Sequence, residues 1–332
     1  MRTRLAFALL LAAAPVSPAA AQYHISQTYK LGGDGSWDYI VPDAPQHRLF
    51  IGRQNRVMIV DATNGQLLGE VTGINGAHGT AIAPKTGHGF ATSGSDSSVV
   101  MFDLTTFKVL GKIHAAEDAD AIIYDAPSNR VFTFNGDAHS STVIDPVGGK
   151  LITNIGLGGK PEYGVSAGDG KVYANLTDVG EVVEIDARNA KVTRRWSTAP
   201  CKNPVAMGID IAHQRLFSGC RSGAMAVSDF KAGKVITTVP IGSGVDGAAF
   251  DPSSGNAFAS NADGTLTIVH QDTPDTYHVL QTLTTMPLSR NLGLDPVTHN
   301  LFLAGAQFGE ATGGRGRPPM VSGSFVIMVV TR

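Results

Sequence analysis

One unit recurs along this sequence, and no other feature restricts its fold so severely. The segments "AIIYDAPSNRVFTFNGDAHSSTVIDPVGGKLITNI", "GAAFDPSSGNAFASNADGTLTIVH", "NLGLDPVTHNLFLAGAQ" and "MGIDIAHQRLFSGC" share one grammar. A short apolar strand leads into a turn, then a strand carrying an aromatic, a polar loop, and a strand ending in Asp. The turn-opening positions are Asp43, Ala83, Asp125, Ala167, Asp210, Asp251 and Asp295, spaced 40 to 44 residues apart. That period is typical of four-stranded propeller blades, and seven units fit the chain.

Within a unit, apolar and polar residues alternate, as half-buried strands require, and no helical period competes. "VMIVDATNGQLLGEV" shows the pattern, with the turn Asp61 to Gly65 between two strands. Asp103, Asp145, Asp186 and Asp229 are counterparts of Asp61; the sixth unit has His270 nearby, followed by the insertion "QDTPDTY". The last unit lacks a fourth strand, and its third is read at Ser324 to Val330. A surplus strand, Tyr23 to Leu31, precedes the first unit. Pairing the two closes the ring and removes exposed sheet edges that would otherwise invite aggregation. The expected fold is therefore all-β: one seven-bladed propeller domain over residues 22–332.

The units resemble the YncE-like proteins of the YVTN-repeat seven-bladed propeller family over nearly the whole mature chain. The namesake tetrapeptide survives in degenerate form as "FASN" (Phe258 to Asn261), "FTFN" (Phe132 to Asn135) and "YAN" (Tyr173 to Asn175). The resemblance implies the fold and says little about activity: the superfamily includes binding proteins and scaffolds, and a related seven-bladed group contains lactone hydrolases working at the mouth of the central channel. The site has to carry the functional argument.

In a propeller, residues at the start of each innermost strand converge on the axis. Five residues before each turn-opening position stand Asp38, His78, Asp120, Glu162, Val205, Asp246 and Arg290. The fourth unit has a shorter first turn, and a different anchor there would select Pro161. Six of seven equivalent places are ionisable. Carboxylates at one mouth repel each other unless a cation or proton relieves them. Asp38, Asp120, Glu162 and Asp246 are thus candidate metal ligands, and Asp38, Asp246 and Arg290 candidate ligand contacts. Oxygen ligands suit calcium or magnesium, and His78 admits zinc, manganese or iron. The alternative is a water-filled acidic channel with internal salt bridges. If the protein is a catalyst, His78, Asp120 and Glu162 are the acid/base candidates, and a lactonase-like hydrolase or isomerase is the class.

The loops after the second strands supply a second ring: Arg53, Ser93, Asn135, Asn175, Arg221 and Asn261, with Asp137 and His139 nearby. Asparagine suits turn backbones, so Asn135 is read either way, while Arg53 and Arg221 are candidates to hold a ligand carboxylate. Trp37 and Tyr163 adjoin channel positions and either stack on a ligand or pack between blades. "GAQFGEATGGRGRPPMVSGS" separates two strands of the last unit on this face, as a lid carrying Arg315 and Arg317 or as a solvated loop.

The ends and the composition set the setting. Arg2 and Arg4 precede "LAFALLLAAA", and Ala19 and Ala21 occupy the small-residue positions of a cleavage site. This reads as a signal peptide removed near Ala21, giving a periplasmic or secreted product. Lys plus Arg (26) nearly balance Asp plus Glu (28), without basic runs. Phosphate neutralisation needs clustered cations, so nucleic-acid binding is disfavoured. Cys201 and Cys220 are the two cysteines; outside the cytosol they are expected to form a disulfide, with a pair of thiol metal ligands as the other reading. The chain is expected to be a monomer that binds a small polar molecule or a metal ion; a protein-interaction role is a further alternative.

Overall fold

The computed structural model describes residues 22–310 and 318–332. The expected signal peptide lies outside the described residues, as do Arg315 and Arg317.

Seven antiparallel four-stranded sheets make up the described chain. Helical structure among the described residues is limited to single 3-10 turns at Ala44–Gln46 and Gly94–Asp96. Blade 1 runs Ile40–Asp43, Arg48–Arg53, Arg56–Asp61 and Leu67–Val71, and each later blade repeats this up-and-down order. The innermost strands touch one another in a closed cycle, the strand of blade 7 returning to that of blade 1.

Two sequence devices produce this regularity. In blades 1 to 5 the Asp ending the third strand folds its carboxylate over the turn. Asp61 accepts from the Thr63 amide at 2.7 Å, Asp103 from Thr106 at 2.7 Å, Asp145 from Val147 at 3.1 Å and Asp229 from Ala232 at 2.8 Å. The side chain thus supplies the acceptor that a tight turn otherwise lacks. The aromatic of the second strand forms the other device. Phe50, Phe90, Phe132, Tyr173, Phe217, Phe258 and Phe302 are all buried. They lie between blades: one cluster joins Phe132 and Val143 of blade 3 to Val172 and Val183 of blade 4, and another joins Leu49 and Ile51 of blade 1 to Phe302 and Ile327 of blade 7. Because each apolar layer needs its neighbour, the blades cannot be stable separately.

Blade 7 is completed from both ends of the chain. His24–Lys30 pairs antiparallel with Val326–Thr331, so Thr28 faces Met328. The strand is pinned on both sides: the Tyr29 hydroxyl donates to the Ala62 carbonyl at 3.1 Å, and the Tyr23 hydroxyl accepts from Asn256 at 2.9 Å. Cys201 and Cys220 form a disulfide, with Cα atoms 5.8 Å apart. It joins the loop before the inner strand of blade 5 to the end of the next strand.

Candidate functional site

The ring residues sit slightly deeper than the loop-based reading places them. His78, Asp120, Glu162, Val205 and Asp246 are each the second residue of an inner strand, while Asp38 and Arg290 lie two residues before theirs. In blades 2 to 6 the pairing of first and second strands slips at this point, between Ala77 and Thr80, Ala119 and Ile122, Pro161 and Gly164, Pro204 and Ala206, and Val245 and Gly247. Such a bulge breaks the alternation of the strand and re-aims a side chain. The same irregularity, five times over, accompanies the ring position. Thr92 fixes two of these bulges, accepting from the Gly79 amide at 2.9 Å and donating to the Asp120 carbonyl at 2.6 Å.

The ring divides into two groups. On one side, the Nδ1 of His78 lies 2.7 Å from Asp38 Oδ2 and 3.3 Å from Asp120 Oδ1. One ligand atom from each of these residues lies within 4.8 Å of the others. Asn291 donates from Nδ2 to Asp38 Oδ1 at 3.1 Å. Backbone packing holds the group close: a β-carbon at Gly94 would lie 3.0 Å from His78 Nε2, and one at Gly52 would lie 2.1 Å from the His78 carbonyl oxygen. On the other side, Arg221 reaches Glu162 Oε1 at 3.0 Å and Asp246 Oδ1 at 3.6 Å, and Arg290 reaches Asp246 Oδ2 at 3.2 Å. Glu162 and Asp246 are therefore matched by two arginines, whereas Asp38 and Asp120 share one imidazole.

Electrostatics follow this division. Burial disfavours charge on His78, but the hydrogen bond to Asp38 and the fields of Asp120, Asp38 and Asp118 outweigh it and hold the imidazolium up to about 9. Burial and the Asp38 carboxylate push Asp120 well above the usual carboxylate range, against the pull of His78. Burial also raises Glu162, with Arg221 opposing. Among the described residues, Asp120 Oδ1 and Asn291 Oδ1 are buried without a hydrogen-bond partner. Tyr39, next to Asp38, is near both groups: burial raises its phenol far above its usual value, and the fields of Asp120, Asp38, Glu162 and Asp246 act in the same sense.

Other candidates are placed apart from the two groups. Arg53 is fully buried, spending its guanidinium on the carbonyls of Gly32, Asp34, Gly35 and Ser36 and lying 3.7 Å over the Phe325 ring. It holds up the segment preceding blade 1. Asn135 is buried inside blade 3, bonded to Thr133, Ser140 and Thr142. Tyr163 packs on Tyr39 with ring centroids 5.2 Å apart. Trp37 packs on Phe308 and Phe325 and lines a cavity of about 410 Å³ that Arg290 also borders. Asp137 pairs with Lys160 at 2.6 Å. Sequence reasoning missed Tyr39 and Asn291. Both directly follow ring positions, Asp38 and Arg290, and a polar residue beside each was the available signal.

Neither a scan against protein-family models nor a search of curated proteins finds a match to this chain.

Proposed function

We propose that this chain is an exported propeller of the YncE-like kind that binds a divalent cation between Asp38, His78 and Asp120 at the channel mouth. One observation carries the reading: among the described residues, Asp38 and Asp120 share a single imidazole and no arginine, and the buried Asp120 Oδ1, 3.3 Å from that imidazole, makes no hydrogen bond. A buried acceptor without a hydrogen bond is costly, and a cation would satisfy it while relieving the Asp38–Asp120 repulsion. Two carboxylate oxygens and an imidazole nitrogen are a mixed donor set, which suits zinc, manganese or iron(II) better than the all-oxygen preference of calcium or magnesium. Asn291 Oδ1 is a further oxygen close to the group. Glu162 and Asp246, opposite, are held by arginines and are assigned to rigidity and charge balance rather than ligation.

Calorimetric titration of metal-stripped protein with zinc, manganese, magnesium and calcium tests this. A single saturable site is expected, tightest for zinc. Asp38→Asn and Asp120→Asn should each weaken it at least tenfold, while Glu162→Gln should change it much less. Equal losses from all three substitutions, or no saturable binding, would refute the assignment.

A further inference from the structure

The cavity of about 410 Å³ beside the ring is lined by Trp37, Ala262, Leu288, Phe308, Pro318 and Met320, with Arg290, Asp34 and Ser36 as its polar lining. Its size falls within the range of small-molecule sites, which are concave, largely apolar and carry a few placed polar groups. The lining residue Trp37 has an indole N–H that is buried and has no acceptor among the described residues. Arg290 makes one ion pair among the described residues, to Asp246, so most of its five N–H donors are not used by that contact. Leu288 has a φ of +62° and donates its backbone N–H to the Ala262 carbonyl at 2.8 Å. That conformation is disfavoured for a branched side chain, and such outliers gather at ligand clamps.

We propose that this cavity is a second binding site, for a small organic acid with a flat or apolar body. The body would lie against Trp37, Phe308 and Met320, and the carboxylate would accept from Arg290 and the Trp37 indole. Both underused polar groups are donors, so the complement is an acceptor, and a guanidinium selects a carboxylate by paired hydrogen bonds. The neighbouring acids do not exclude an anion. Asp246 is matched by Arg221 and Arg290, and Asp34 lies in the field of the buried Arg53. This site shares no residue with the cation triad, so the two assignments stand or fall separately.

The test is calorimetric titration of the purified protein, in chelator, with 3-phenylpropanoate and with 3-phenylpropan-1-ol as its uncharged counterpart. The acid should bind at one site and the alcohol at least tenfold more weakly. Arg290→Gln should weaken the acid at least tenfold and leave the alcohol unchanged. Ala262→Phe, which fills the cavity, should abolish acid binding, while in a separate titration without chelator zinc still binds. Asp120→Asn should leave the acid unaffected. The proposal is overturned if acid and alcohol bind alike, if neither binds, or if folded Ala262→Phe protein, judged by its circular dichroism and melting, keeps the wild-type affinity.

Discussion

At the residue scale the protein turns on how His78 is held. Its imidazole ties together carboxylates from two other blades, and fold and protonation are consequently linked. In the folded protein its pKa of about 9 lies above the ordinary histidine value of 6.5. A group raised in this way contributes its full stability below its unfolded value and loses it as pH rises through the folded one. Asp120 and Glu162 are also raised, so they act in the same direction, beginning at lower pH. In chelator, unfolding free energy should therefore fall between about pH 6.5 and pH 9, with the His78 share on the order of 3 kcal/mol. Denaturant titrations across this range should show the slope, and His78→Gln should flatten it; an unchanged slope in that variant would contradict the assignment. A bound cation should reverse the trend, since it competes with protons for the same atoms.

At the element scale, the strand bulges and the rim disulfide matter most. The disulfide closes a separation of 19 residues on the rim beside Arg221. Constraining a loop of that size in the unfolded chain stabilises by about 3 kcal/mol. The double substitution Cys201→Ser/Cys220→Ser should lower stability by about that amount in denaturant titrations, and a loss below about 0.5 kcal/mol would show the staple to be redundant. Much of this scale was legible in the sequence. The Asp turns, the aromatic of each second strand and the single ring position per blade all follow from the repeat. What the repeat conceals is the fate of equivalent residues. Arg53 and Arg221 occupy the same place in their units, yet Arg53 is buried beneath residues 32–36, a segment that only blade 1 carries, and Arg221 bridges Glu162 and Asp246. Which charged residues of neighbouring blades pair depends on distances between blades, and these are not written in a linear period.

At the scale of the whole molecule, the ring is a closed set of shared apolar layers, and the N-terminal strand supplies the fourth strand of blade 7. Deleting residues 23–31 removes Tyr23 and Tyr29 from their layers and leaves the Val326–Thr331 edge unpaired. The expected outcome is a lower melting temperature with aggregation of the truncated chain, measured by scanning fluorimetry and light scattering; unchanged values would contradict the closure. Closure also bears on the site, because Asn291, at the entry to the inner strand of blade 7, donates across the seam to Asp38 of blade 1, which meets His78 and Asp120 of the next two blades. The central claim is that this meeting point holds a cation. Crystals grown with zinc and measured on both sides of the zinc absorption edge test it directly. The account predicts one anomalous peak bounded by Asp38, His78 and Asp120. A channel without a peak, or a peak lying instead between Glu162 and Asp246, would contradict it.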